Sequence, residues 1–596
     1  MRKNNLILVS VVAASLLASC GGGGGGSGKT RISIYNFSGG IGSKWLDDAI
    51  AEFTLANENR SFEEGKQGVY ITYWGNTDSG GALGNIKTSG DALYFTEKGN
   101  TPFALANANN LYKLNDILDS KADPSETRTI KEKIDSEYLS TLQGSDGNYY
   151  ALPHYEWYPG LTYDVTAFDN GGMNPYYFAA PEEENIIEYE AKKQVGIKEY
   201  NFGVGRFVAD DTAVKSCGND GLYGTEDDGL PSSVQEFLIL CSYLDSNGIA
   251  PLAVAGNHRD YSAYLIQGFL SSLLGAAGVQ DFYDFDGTIN VLERNSSGGI
   301  VYNEGEELFC EGSGIASPKF KTVQVTEKTG YLTRETYERY YLAGLMQILV
   351  DCEFFTEKSV NSSATNFQTQ DGFIMSRNKY AAGMLIEGNY WYNEAANQGY
   401  FENYKKQNRQ DRNIGWMSLP TKLEGTVEED PSGVGYKSSL IDTGYSYCFV
   451  NKAAMEKNSE GYRTAVLEFV KFLYSDKQLE HFSAVTGTAK AAFDYNVLSD
   501  EALENLSPFQ KSVLTLKVNN GVAYATAKNE TFKHKQLEFQ FGIEAPIWSA
   551  KINNVTYKDY ISAFKDPNNP NITVEQVVAG SFITPEQWMN VYYKGN

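Results

Sequence analysis

The sequence predicts an α/β fold built on a parallel sheet, in more than one domain. Two observations carry this. Strand-like and helix-like segments alternate from residue 31 onward, the order that lays helices on the faces of a parallel sheet. The chain has 596 residues, enough for a large core and more than one domain. The first element is RISIYNFSGG, in which Ile32, Ile34 and Asn36 share one strand face and Gly39-Gly40 end the strand. SKWLDDAIAEFTLANE follows as a helix. Ser43 stands at the N-cap position, acidic residues fill the early turns, and Trp45, Leu46, Ala49, Ile50 and Phe53 recur at helical spacing. VYITYW reads as the second strand and DALYF as the third. Parallel sheets bind ligands at the carboxyl ends of their strands. The loop Phe37 to Gly42 and the pair Thr96-Glu97 fall there.

The chain begins MRKNNLILVSVVAASLLASCGGGGGGSGKT. Arg2 and Lys3 precede an apolar run from Leu6 to Leu17 that is shorter than the roughly 20 residues a spanning helix needs. Leu17-Ala18-Ser19-Cys20 resembles a bacterial lipobox, in which the signal (1–19) is removed and the cysteine is lipidated. An ordinary secretory signal with a chance cysteine is the alternative. On the lipobox reading, lipid holds Cys20 in the membrane and the Gly-rich stretch (20–30) is a flexible tether. No later segment is expected to match a spanning helix in length and apolarity.

The net charge of −25 would repel phosphate backbones, so nucleic acid is excluded as the expected partner. The chain holds 41 Tyr against 7 Trp, an excess that suits stacking on sugar faces and equally suits amphipathic packing. Cys217, Cys241, Cys310, Cys352 and Cys448 form no CxxC pair, so no zinc site is expected. An exported chain permits disulfides, and Cys217–Cys241 and Cys310–Cys352 are conceivable bridges. Cys448, in the alternating SYCFV, reads as a buried strand thiol. The four histidines lack metalloenzyme spacing, and there is no GxSxG, P-loop or HExxH.

A set of segments in order resembles the extracellular solute-binding proteins of ABC importers, family 1, the group that includes maltose-binding protein. They are the lipobox, ISIYNFSGGIGSKWLDDAIAEF, GDALYFTEKG, YYALPHYEWYPGLTYDVTAFD, NGIAPLAVAGNHRDYSAYLIQGFLSSLLGAAG, AAGMLIEGNYWYNEAA, IGWMSLPTKLEG and FVKFLYSDKQLEHFSAVTGTAKA. The resemblance spans nearly the whole mature chain, with insertions around 170–232 and 285–335. It implies a two-lobed periplasmic-binding-protein type II fold with a hinge and an interlobe ligand cleft. The implied plan is lobe one over 31–158 and 413–505, and lobe two over 159–412 and 506–596. ALPHYEWYPGLTYD would carry the first crossing, and IGWMSLP would open the return. Cleft closure about hinges is a known mode of ligand capture.

A sugar offers an apolar face and a rim of hydroxyls, so its site needs aromatic rings beside carboxylates or amides. In the cleft segments the resemblance implies, HYEWY supplies Tyr155, Glu156 and Trp157, and EGNYWYNE supplies Glu387, Asn389, Tyr390 and Trp391. NHRDY supplies Asn257, His258, Asp260 and Tyr261 at a helix start. Phe37, Ser38, Thr96 and Glu97 would line lobe one, with Asp442, Tyr445 and Trp548 as further candidates. Core packing is the competing reading for each ring. Separately, CGNDGLYGTEDDGLP places Asn219, Asp220, Thr225, Asp227 and Asp228 among glycines, which resembles exported calcium loops and would hold a structural calcium. The competing reading is a polar turn ahead of a helix.

The leading expectation is a monomeric, lipid-anchored, extracytoplasmic receptor that captures a carbohydrate, in the main an oligosaccharide, for an ABC permease. It needs no catalytic residue and no cofactor. The alternative is a surface-anchored glycoside hydrolase with two facing carboxylates about 5 to 10 Å apart.

Overall fold

The computed structural model describes residues 28–97, 102–169, 175–257, 261–360, 364–375, 381–420, 422–423, 440–442, 446–525, 550–557 and 559–593. The readings for Cys20 and the tether through residue 27, His258, Asp260, Tyr445 and Trp548 lie outside the described residues, while the last of the expected tether, Thr30, is already the first residue of a buried strand.

The alternation at the start of the chain becomes one half of the molecule. Strands β1 (Thr30–Asn36), β2 (Val69–Trp74) and β3 (Leu93–Thr96) pair in parallel with β1 in the middle. Ile32 and Ile34 are buried, and the helix Lys44–Ala56 buries Trp45, Leu46, Ala49 and Phe53. Ser43 occupies the cap position, but its side chain makes no cap bond. Its Oγ accepts instead from Asn36 Nδ2 at 3.1 Å, which closes the loop between strand and helix. Strand β4 (Ala151–Pro153) ends this lobe's first pass.

The chain then crosses in five residues, 154–158, and β5 (Pro159–Tyr163) lies in a second sheet. The first insertion is a long antiparallel hairpin of β6 (Ile186–Val195) and β7 (Lys198–Val208). Strand β8 (Ala250–Ala253) returns to the second sheet. The second insertion pairs β9 (Gly287–Leu292) with β12 (Phe320–Val325), and β10 (Tyr302–Glu307) with β11 (Ala316–Pro318). Strand β13 (Ala382–Gly388) sits at the centre of the second sheet, parallel to β8 and antiparallel to β5.

Strand β14 (Gly415–Met417) corrects the expected return. It pairs antiparallel with β5, so IGWMSLP stays in the second lobe. Its Trp416 is fully buried in that lobe's core with Tyr158, Trp391 and Phe509. Strand β15 (Leu440–Asp442) pairs with β17 (Val522–Tyr524), and among the described residues it is β16 (Tyr447–Val450) that re-enters the first sheet, between β3 and β4. The first sheet therefore runs β2-β1-β3-β16-β4 and the second β14-β5-β13-β8. Helices Glu460–Leu473 and Asp476–Thr486 pack on the first lobe, and helix Pro508–Asn520 packs on β14.

Two other expectations change. Helix Ser262–Asp284 does contain a segment, Ser262–Phe282, long and apolar enough to cross a membrane, with mean hydropathy 1.3. It is 72% buried within the protein and breaks at Gly275, so it is a core helix against β5, β9 and β17. No disulfide forms among Cys217, Cys241, Cys310, Cys352 and Cys448. Cys241 faces the core of helix Val234–Ser246, where Cys352 rather than Cys217 is the thiol whose charge it feels, and burial pushes both thiols up. Cys448 is buried in β16.

Candidate ligand cleft

The carboxyl ends of β1, β2 and β3 make the floor on the first lobe. Phe37 is half-buried and Ser38 exposed; Ser38 N donates to Asn76 O at 3.1 Å, tying the loop after β1 to the loop after β2. Tyr35 Oη reaches Asn76 Oδ1 at 3.1 Å. Glu97 N donates to Ser79 Oγ at 3.1 Å. Burial raises the Tyr35 hydroxyl, with the charges of Asp78 and Glu97 adding to it. Gly40, at φ +57, is required here: a Cβ at this position would stand 2.5 Å from Glu97 Oε1 and 2.8 Å from Tyr155 Oη. The chain thus brings Gly40, Glu97 and Tyr155 into one place. Tyr155 is 3% exposed, yet its hydroxyl has no hydrogen-bond partner among the described residues.

The wall on the second lobe is aromatic. Trp157 meets Tyr264 edge to face at 4.8 Å and lies parallel to Tyr390 at 6.2 Å. Tyr261 stacks on Tyr264 at 4.9 Å. The rings pack on one another by such offset and edge contacts, with Trp157 and Tyr264 6% exposed, Tyr390 8%, and Tyr261 half-buried. Polar groups flank the rings: Gln370 Nε2 donates to Glu387 Oε1 at 3.0 Å and to Glu394 Oε2 at 3.2 Å. Burial pushes the Tyr390 hydroxyl well up, helped by Tyr264, Glu387, Tyr261 and Glu394, which together surround it. Asn257, at the end of the loop after β8, is exposed. The lobes meet close to this site: a Cβ on Gly42 would come within 2.6 Å of Asn397 Nδ2, across from the helix Trp391–Asn397.

Several sequence candidates go elsewhere. Thr96 is fully buried in β3 and its hydroxyl donates to Tyr447 O. Trp391 is fully buried against Phe373, Phe401 and Phe509, because Tyr390 ends the loop and the next residue turns inward at the helix start. Asn389 is a backbone bracket: its Oδ1 accepts from Tyr158 N at 2.9 Å and its Nδ2 donates to Glu156 O at 3.4 Å. Glu156 is fully buried with both oxygens already accepting from protein donors. Asp442, 1% exposed in β15, lies close enough to Tyr138 and Tyr524 for its charge to raise both.

The five calcium-loop candidates form a turn bonded within itself and to its neighbours, with Asn219 Nδ2 donating to Leu419 O at 3.0 Å and Asp220 Oδ2 accepting from Asn519 Nδ2 at 3.1 Å. Asp227 Oδ2 accepts from the backbone of Asn219 and Asp220 at 2.8 and 3.0 Å, and its Oδ1 from Thr225 Oγ1 at 2.8 Å. Asp228 accepts from Gly224 N, and Asp220 from Leu222 N. Burial and the Asp220 charge push Asp227 up to about 6. No group of three or more His, Cys, Asp or Glu arranged to hold a metal occurs among the described residues. The calcium reading gains no support from this geometry.

Sequence reasoning passed over Asn76, Asp78, Ser79, Tyr264, Gln370 and Glu394. The first three had a signal, since GNTDSG follows β2 at the carboxyl end of a parallel strand. Tyr264 stands one helical turn after Tyr261. Glu394 closes the quoted EGNYWYNE, one helical turn after Tyr390, whereas Gln370 had no signal, because helix Asn366–Ile374 is placed by its packing on β13 and on helix Tyr400–Asn408.

No family model and no curated protein matches the chain. Among solved structures, a chitin oligosaccharide binding protein is similar at 14% identity, over 93% of this chain and 98% of that one, with a TM-score of 0.48. The cyclic alpha-maltosyl-1,6-maltose binding protein from Arthrobacter globiformis is similar at 12% identity, over 96% and 100%, with a TM-score of 0.48. The GacH receptor of Streptomyces glaucescens GLA.O is similar at 11% identity, over 95% and 99%, with a TM-score of 0.48.

Proposed function

We propose that this chain is a carbohydrate-capture receptor of an ABC importer. It is held outside the cytoplasmic membrane by lipid on Cys20, swings on its Gly-rich tether, and hands an oligosaccharide to a permease. The observation that carries the reading is the pairing of an aromatic wall with a polar floor. Trp157, Tyr264, Tyr261 and Tyr390 stand beside Glu387, Gln370 and Glu394 on the second lobe, and Tyr155 stands beside Glu97 on the first. Rings take the C–H face of a sugar and the carboxylates and amides take its hydroxyls. A buried hydroxyl without a partner among the described residues, as at Tyr155, is a group that a ligand hydroxyl can satisfy. Binding followed by release leaves the sugar unchanged, so no catalytic group and no cofactor is called for.

The test is the melting temperature of the protein against neutral mono- and oligosaccharides, with peptides as controls. A ligand at 100 times its dissociation constant adds about 2.7 kcal/mol to the folded state. A rise with one class of sugar that is recovered intact supports capture. A rise only with peptides removes carbohydrate, and cleavage of the sugar replaces capture with hydrolysis.

A further inference from the structure

The crossing segment 154–158 alternates. Tyr155 goes to the floor of the cleft and Trp157 to its wall, so Glu156, between them, points the other way, into the seam between the lobes. There it collects donors from both sides. From the first-lobe side, Ala492 N donates to Oε1 at 3.1 Å, and the Glu156 backbone N–H donates to Ala489 O at 2.9 Å. From helix Pro508–Asn520, which packs on β14, Lys517 Nζ reaches Oε1 at 2.7 Å. From β17, Tyr524 Oη donates to Oε1 at 2.8 Å, and Tyr158 Oη, at the entry to β5, donates to Oε2. One residue earlier, His154 N donates to Ser446 O at 3.0 Å, beside β16 where the chain returns. The carboxylate is 0% exposed and Lys517 only 13%. Charge-assisted bonds of this kind are shorter and stronger than neutral ones, and removing one partner of a buried pair strands the other.

We propose that the Glu156 carboxylate is a positioning group for the cleft: by tying both lobes to the crossing strand it sets the angle at which Tyr155 and Trp157 face a ligand, without touching the ligand. This rests on the capture reading for its consequence in binding, but not for its consequence in lobe geometry. Any change that lets the lobes sample other angles lowers the fraction of binding-competent molecules, and the apparent affinity falls by that fraction.

The experiment compares wild type with Glu156→Gln, Tyr524→Phe and Lys517→Met by small-angle X-ray scattering without ligand, and by calorimetric titration with the saccharide panel used above. Glu156→Gln is expected to broaden the interlobe distance distribution and to weaken saccharide binding about tenfold or more. Tyr524→Phe and Lys517→Met, which each leave three donors on the carboxylate, are expected to do the same to a smaller degree. If Glu156→Gln does not fold, these two variants decide. Unchanged scattering in folded variants, with only a lower melting temperature, makes Glu156 a stabilising residue and overturns the proposal. Scattering that changes while no saccharide binds any form upholds the tie between lobes and fails the carbohydrate reading instead.

Discussion

HYEWY and NYWYN look alike as sequences: each sets a tryptophan among tyrosines with a carboxylate or amide alongside. In the folded chain they behave differently. HYEWY is an extended crossing, so its side chains alternate, and Trp157 reaches the aromatic wall while Glu156 is buried in the seam. NYWYN is the turn from β13 into a helix, so Tyr390 stays at the wall and Trp391 rotates into the second-lobe core beside Phe373 and Phe509. The lesson is that backbone phase, and not residue type, divides the rings of the candidate site from those of the second-lobe core.

Four measurements would break or sharpen that contrast. Trp391→Ala has the largest expected effect. Emptying a fully buried tryptophan site costs about 3–5 kcal/mol, read as a lower denaturant midpoint, while the protein that remains folded binds saccharide as before. Trp157→Ala is expected to do the reverse in proportion: a smaller loss of stability and an affinity about tenfold weaker, ~1.4 kcal/mol, by titration. If both variants show the same balance of stability and affinity, the contrast between the two segments is wrong.

The third concerns His154, the first residue of HYEWY. Its Nδ1 lies 3.0 Å from Lys490 Nζ, and the ammonium sits over Phe482 at 4.1 Å and Trp45 at 4.8 Å. Burial holds the Lys490 amine down at about 7, against an ordinary 10.5, and holds His154 well below its ordinary value, with the Lys490 charge adding to it. Between pH 7 and about 10 the unfolded lysine binds a proton that the folded one does not, so its share of the stability rises with pH across that window. Four buried thiols, Cys241, Cys310, Cys352 and Cys448, are pushed up by burial from an ordinary value near 9, so they oppose the lysine as pH nears 9. The lysine's share is read as a difference: from pH 7 to pH 9 the melting temperature of the wild type is expected to gain on that of Lys490→Met. The buried tyrosines, raised above 10, act only beyond that range. A difference between the two proteins that does not change from pH 7 to pH 9 contradicts this account of the first-lobe end of the crossing.

The smallest expected effect belongs to Tyr155→Phe. The hydroxyl has no partner among the described residues, so its loss leaves stability level or slightly higher. Saccharide affinity is expected to fall several-fold, in line with a single hydrogen bond of about 0.5–1.5 kcal/mol. An unchanged affinity would take Tyr155 out of the site and leave the floor to Glu97 and Ser38.

The opening of the fold was legible in particular residues. Ile32, Ile34 and the helix face of Trp45, Leu46, Ala49 and Phe53 declare β1 and its helix by period alone, and Cys448 declares a buried strand. The cleft was legible only as a set of loops. Trp157, Tyr261 and Glu387 gather around Tyr264 and Tyr390 on the second lobe and Tyr155 stands by Glu97 on the first, whereas Thr96, Asn389, Glu156 and Trp391 come from the same segments and serve the backbone, the seam or the core. The return of the chain was misplaced because GWM reads as a strand without saying which sheet it joins, and pairing with β5 decided that.

What the sequence by itself determined is local: the net acidic charge, the alternating strands and helices, and the aromatic-polar composition of the loops. These follow from near neighbours, through hydrophobic period, turn chemistry and charge. The tertiary structure alone decided where the carboxylates of the loops go, Glu387 beside the aromatic rings and Glu156 into the seam among other donors. That choice depends on partners hundreds of residues away: Lys517 lies 361 residues from Glu156, and Tyr524 lies 368. A buried charge must find its donors in space, and the spacing of residues along the chain carries no record of where those donors arrive.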